Sequence, residues 1–163
     1  MKKWFYGLLG VAVLAAIFVL ALPTILHKAG MHPEYHGPKV ALPAKRALVI
    51  TTSHDVLAAP GETEGPATGV VASELTHPYY VFLDGGMQVD VASIKGGQIP
   101  IAPDSLGRVS MTPETERFLQ DSIFQAKVDK SIKIDDIDFS EYDIIFLAGG
   151  WGAAYDLGYS AIL

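Results

Sequence analysis

The 163 residues contain no cysteine. A disulfide framework, a thiolate metal site and a cysteine nucleophile are therefore excluded within them. Basic residues are scarce as well: 12 Lys and Arg stand against 18 Asp and Glu, for a formal net charge of −6. Nucleic-acid binding draws on basic patches that release phosphate counterions, so no nucleic-acid partner is expected. Charge of either sign is missing from Trp4 to Leu22, a run of 19 residues. As a helix at about 1.5 Å per residue, that run spans about 28 Å, close to the ~30 Å hydrocarbon core of a bilayer.

Lys2 and Lys3 precede the run, and Pro23 is expected to stop it. A cleavable signal has an apolar core of about 7–15 residues and a small-x-small cleavage site. Here the core is longer, and Val19-Leu20-Ala21 followed by Leu22-Pro23 is a poor site. The reading is a signal anchor over residues 1–22, with a cleaved signal as the alternative. Lys2 and Lys3 place the N-terminus in the cytoplasm and the rest of the chain on the extracytoplasmic side of a single-pass protein. Lys28, Lys39, Lys45 and Arg46 lie near the span and weigh against that orientation.

Residues 23–44 lack any hydrophobic period and hold four prolines, so they read as a tether. His27, His32, Glu34 and His36 within them are zinc-compatible types. No helix or strand fixes them, so the reading is a polar stalk, and no metal or cofactor is expected.

Residues 45–163 change character. Ala47–Thr52 is a β-branched apolar run of the kind buried on both faces of a parallel sheet. Thr68–Leu83 repeats apolar residues at three and four and predicts a helix, with Gly85-Gly86 as a left-handed stop. Pro78 within it cannot donate to the Glu74 carbonyl and predicts a bend. Gln88–Ser93 alternates as a strand. Pro113–Ala126 predicts a helix with Thr112 as its cap. Ile132–Ile137 is a short strand or connector, and Asp143–Ala148 is a buried strand ending at Gly149-Gly150. This alternation predicts an α/β fold with a doubly wound parallel sheet. Ligands bind beyond the carboxyl ends of such strands, which places Thr52-Ser53-His54, Ser93 and Gly149-Gly150 along the site edge.

Three tempting motifs fail. Ser53-His54-Asp55 is not a triad, because adjacent strand residues point to opposite faces. Gly149–Gly152 is not a dinucleotide fingerprint, which belongs to the first strand-helix turn. His54–Gly65 lacks a phosphate-loop Gly-Lys-Ser/Thr, which counts against a flavodoxin-like cofactor binder. His77 reads as a helix-surface or core residue.

Four segments appear in a familiar order: Ala47–His54; Thr68-Gly-Val-Val-Ala-Ser-Glu74-Leu-Thr-His77-Pro78-Tyr79; Gly86–Gly97; and Tyr142–Leu157 with Gly149-Gly150-Trp151-Gly152. Over about residues 46–160 the chain resembles the ThiJ/PfpI superfamily, and within it the glyoxalase III, deglycase and chaperone-like branch. The resemblance implies a flavodoxin-like, class I glutamine-amidotransferase-like fold and action on small reactive carbonyl compounds, and it is compatible with a homodimer. It places the family's helix glutamate, which pairs with a nucleophilic cysteine, on Glu74. A carboxyl there would be partly desolvated, which suits it to hold a proton for transfer. Gly149 and Gly150 take the place of oxyanion donors. Trp151 stands where the family often has histidine, so any role of that histidine is lost, and His54 lines the site.

The family's cysteine lies on the strand-to-helix elbow after the next strand, past Leu163. The expectation is therefore an incomplete, N-terminal part of such a domain over residues 45–163, catalytically silent and marginally folded by itself. A noncatalytic, membrane-tethered binding or chaperone-like module is the alternative.

Overall fold

A computed structural model of the chain describes residues 2–30 and 37–163. The chain divides into two compact units between Gly37 and Pro38. The first holds one helix, α1 (Lys2–Lys28), whose Tyr6–Leu26 stretch has a mean hydropathy of 2.7 and no burial. It is long and apolar enough to cross a bilayer. The expected stop at Pro23 is corrected: the helix runs through Pro23 for another turn. Proline removes one backbone donor and clashes with the preceding turn, a local cost within a helix of 27 residues whose approach to Pro23 is Leu20-Ala21-Leu22. His32, Glu34 and His36 lie outside the described residues.

The second unit contains β1 (Arg46–Thr51), α2 (Ala72–Asp84), β2 (Gln88–Ser93), α3 (Pro113–Phe118), α4 (Ser122–Asp129), β3 (Ile132–Lys133), β4 (Ile144–Leu147) and the short α5 (Ala153–Asp156). The strands form one parallel sheet in the order β3-β2-β1-β4. Strand β1 is the centre: Ala47 to Thr52 are fully buried, as the unbroken apolar run predicts.

Alternate residues of β1 feed two cores. Ala47 and Val49 face Leu75, Tyr79 and Tyr80 of α2 and Phe124 of α4. Leu48 and Ile50 face Ala92 and Ile134, with Ile137, Phe139 and Leu157 packed alongside. The expected parallel α/β sheet is present, with both of its faces covered. Among the described residues the longer helices of this unit pack on the first face, and the second is covered by 3-10 turns at Ile134–Asp136 and Phe139–Glu141 together with Leu157.

Two helix boundaries also differ from expectation. Helix α2 starts at Ala72 rather than Thr68, because Val70 pairs laterally with Ile101 and Val71 is extended. No residue beside Val71 caps the helix; Ser105 does so from 33 residues away, its Oγ accepting the Ala72 N–H at 2.9 Å. The expected helix Pro113–Ala126 is two helices. Asp121 accepts the N–H groups of Ile123 and Phe124 at 3.0 and 3.1 Å and so begins α4 afresh. Thr112 caps α3 as expected, accepting the Thr115 N–H at 3.2 Å. Gly86, at φ 84°, supplies the left-handed stop after α2.

Candidate functional site

The carboxyl ends of β1 and β4 and the first turn of α2 converge on one small region. Glu74 stands in that first turn, where the positive end of the helix favours a carboxylate. Its Oε2 accepts the Gly149 N–H at 2.9 Å, across 75 residues of sequence. The backbone is tied there a second time, since the Val71 N–H donates to the Gly149 carbonyl at 3.2 Å. A Cβ at Gly149 would stand 2.4 Å from Glu74 Oε2, so only glycine admits the carboxylate this close. Gly150 has φ 127°, and a Cβ there would stand 2.5 Å from the Gly69 carbonyl. The turn after β4 is thus built of glycine for two reasons: contact at Gly149, and both contact and backbone conformation at Gly150.

The structure brings Glu74, Gly149 and Gly150 together. It changes the chemistry expected of the glycine pair. The Gly149 N–H is committed to Glu74, so of the two amides expected to face an incoming oxygen, only that of Gly150 has no acceptor among the described residues. The partial burial expected around Glu74 is not supplied by the described residues, because its side chain is exposed to solvent.

A separate clamp lies beside this pair. Asp156 accepts the Thr52 hydroxyl and the Ser53 N–H, each at 2.7 Å, and so fastens the segment after β4 to the end of β1. The same Thr52 oxygen accepts the His54 N–H at 2.8 Å. The His54 ring stacks on Tyr155 at 4.1 Å between centroids, and its Nε2 donates to the Val56 carbonyl at 2.5 Å. His54 is therefore at the expected sheet edge, with this nitrogen engaged by the chain's own backbone. Ser53 Oγ accepts the Lys95 N–H at 2.8 Å, so Ser53 and His54, in the loop beyond the end of β1, turn to different partners. Trp151 is 68% exposed. Ser93 is buried and bonded to Ser131 at 2.8 Å, away from solvent. His77 lies on the helix surface, within 3.0 Å of Glu114.

Sequence reasoning missed the Asp156 clamp. Asp156 is 104 residues from Thr52, and nothing local marks it. Among the described residues, no group of His, Asp and Glu stands together as a metal site.

The opposite, amino end of the sheet carries the densest charge network. Arg46 reaches Glu141 at 2.5 Å and Asp90 at 2.9 Å, and Lys127 reaches Asp90 at 3.3 Å. Burial alone would push the Asp90 carboxyl up; Arg46, Lys127 and Tyr142 outweigh it and hold the group below the usual carboxylate range. This network joins β1, β2 and the approach to β4, so it holds the strands in register far from the Glu74 end.

No family model matches the chain. Solved structures and characterised relatives do. The Rapid Encystment Protein 24 kDa of Francisella tularensis is 37% identical, with a TM-score of 0.65, over 72% of this chain and 50% of that one. Glyoxalase III from Candida albicans is 25% identical, with a TM-score of 0.59, over 71% of this chain and 47% of that one. The glutathione-independent glyoxalase HSP31 of Saccharomyces cerevisiae is 29% identical over 118 residues, 70% of this chain and 47% of the relative. The chain spans about half the length of the relatives it matches.

Proposed function

We propose the following for this chain, which belongs with the glyoxalase III and Hsp31 proteins of the ThiJ/PfpI family: residues 46–163 form the glutamate-and-glycine half of a site for small reactive carbonyl compounds. The observation that carries the reading is the Glu74–Gly149 hydrogen bond at the carboxyl edge of the sheet. It fixes one oxygen of the carboxylate and leaves the other to exchange a proton with a group beside it. The neighbouring Gly150 N–H is the donor for the oxygen that becomes anionic when a nucleophile adds to a carbonyl carbon. Residues 1–163 hold no thiol, so on this reading the nucleophile comes from polypeptide outside them, and residues 1–163 alone are silent toward carbonyl substrates. Covering polypeptide would also remove Glu74 from water and so favour its protonated form.

Helix α1 supports a membrane tether, with Lys2 and Lys3 on the cytoplasmic side and the sheet unit on the other. The domain limits follow the same reading: an anchor, a linker from about residue 23 that begins inside α1, and the site-bearing unit from residue 45.

A graft tests the site. Residues 46–163 replace the matched segment of yeast HSP31, leaving that protein's remaining half in place. The chimera is expected to convert methylglyoxal, and Glu74→Gln to lower its kcat by about 10²–10⁴-fold, the usual contribution of a positioned proton-transfer group. A folded chimera without turnover, or one indifferent to Glu74→Gln, overturns the proposal.

A further inference from the structure

The turn after β4 is held at two ends. At the near end the Gly149 N–H donates to Glu74, and the Gly149 carbonyl accepts the Val71 N–H. At the far end Asp156 accepts the Thr52 hydroxyl and the Ser53 N–H, each at 2.7 Å. Between them the backbone closes on itself three times in succession. The Ala153, Ala154 and Tyr155 N–H groups donate to the carbonyls of Gly150, Trp151 and Gly152 at 3.1, 3.2 and 2.9 Å. Bonds between residues three apart fix the dihedral angles they enclose, so residues 150–156 behave as one short lever. Gly152 seats its middle: a Cβ there would stand 2.6 Å from the His54 carbonyl and 2.8 Å from Thr52 Cγ2. Tyr155 braces its side, the hydroxyl donating to the Ala58 carbonyl at 2.6 Å and the ring lying on His54.

The near end does not aim the Gly150 N–H by itself. That N–H belongs to a peptide flanked by two glycines, so no side chain restricts its rotation, and Gly150 holds φ 127°. The carbonyl of the same peptide is held only by the 3.2 Å bond from Val71, at the long limit for such bonds. The second hold comes from the lever, and the lever is anchored by Asp156. We propose that Asp156 is the positioning residue that keeps the Gly150 N–H directed at the oxygen of a carbonyl substrate. It touches no substrate and acts through its two links to the end of β1. The inference rests on the half-site reading above, in which Gly150 is the oxyanion donor, and adds the group that holds this donor in place. Two substitutions separate geometry from charge. An asparagine at 156 keeps both links, its oxygen accepting the Ser53 N–H and its NH2 donating to the Thr52 hydroxyl oxygen, whereas an alanine keeps neither.

The first arm of the test reads hydrogen exchange at the Gly149 amide in the full 163-residue chain, in detergent. Asp156→Ala is expected to speed that exchange about tenfold or more, because a slack turn loosens the bond to Glu74 through local opening. Thr52→Val cuts one link and keeps the shape, and should give a smaller acceleration of the same sign. Asp156→Asn should stay within about threefold of the unaltered chain. Asp121→Ala removes the α4 cap and controls for general loss of stability; it should leave the Gly149 rate within about twofold. The second arm reads the HSP31 chimera. There Asp156→Ala should lower kcat by about 10–10²-fold with KM within about twofold, as expected for a displaced oxyanion donor, and Asp156→Asn should restore it. Gly149 exchange indifferent to Asp156→Ala, equal acceleration by Asp121→Ala, equal loss of kcat in Asp156→Asn, or a rise in KM at unchanged kcat each overturns the inference. A chimera without turnover before any change at 156 sinks the half-site reading instead, and the exchange arm still decides whether Asp156 holds the turn.

Discussion

Strands β1 and β4 are written in nearly the same alphabet and meet opposite fates. Ala-Leu-Val-Ile-Thr and Ile-Ile-Phe-Leu-Ala both read as strands buried on two faces. In β1 every residue from Ala47 to Thr52 is shielded; in β4 every second residue is open. Both strands are pinned at their ends: Arg46 and Asp143 are joined by a 2.9 Å bond from the Arg46 N–H at the amino side, and the Glu74–Gly149 bond holds the carboxyl side of β4. The difference is confined to the middle, where among the described residues β1 has neighbours on both edges and β4 on one. An apolar strand thus states a demand for burial, and the surrounding chain decides whether the demand is met.

The largest expected effect sharpens that contrast. Leu48→Ala in β1 should lower unfolding free energy by about 2–5 kcal/mol, the range for a buried leucine with its cavity. Leu147→Ala, in the same sheet, should lower it by less than about 1 kcal/mol because little apolar area leaves water there. Denaturant unfolding of the full chain in detergent, followed by the circular dichroism of the sheet unit, measures both. Equal losses would break the comparison.

A smaller effect is expected where β4 ends. Gly149→Ala drives a methyl group into Glu74 Oε2, so the carboxylate must swing away and the Gly149 N–H loses its acceptor. The expected cost is about 1–3 kcal/mol. In the HSP31 chimera the loss of methylglyoxal turnover should match that of Glu74→Gln. Wild-type turnover by a Gly149→Ala chimera would separate the glycine from the site.

The smallest effect lies at the other pinned end. The Asp90 carboxyl is held below its ordinary range, so its stabilising contribution is fully present above the unfolded value near pH ~3.9 and is lost as pH falls through the folded value. Asp90→Asn should therefore lower stability at neutral pH by less than about 1 kcal/mol, leave it unchanged well below the folded value, and so flatten the acid limb of the stability curve. An unchanged slope below pH ~4 would show that the network does not bear on register.

Much of the fold was legible locally. Strands β1, β2 and β4, the Gly86 stop, the Thr112 cap and the 19-residue uncharged run follow from patterns a few residues long. Three boundaries were not. Pro23 permits the helix to continue, Val70 is drawn away from α2 by Ile101, and Asp121 divides one expected helix into two. In the last case the local signal existed, because an aspartate three residues before an amide is a cap, but the periodicity of Pro113–Ala126 masked it. The site was half legible. The ordered resemblance pointed to Glu74 and the glycine pair; it did not show that one glycine amide is consumed in holding the glutamate.

The sequence by itself determined which segments extend or coil, which face of each is apolar, and that no thiol is present in these 163 residues. Those properties reside in single side chains and their nearest neighbours. Only the tertiary structure decided that Glu74 meets Gly149, that Ser105 caps α2, that Asp156 clamps β1, and that Ile145 and Leu147 stay in water. These contacts join groups 33 to 104 residues apart, and a hydrogen bond or a buried face needs both partners in place before either registers an effect.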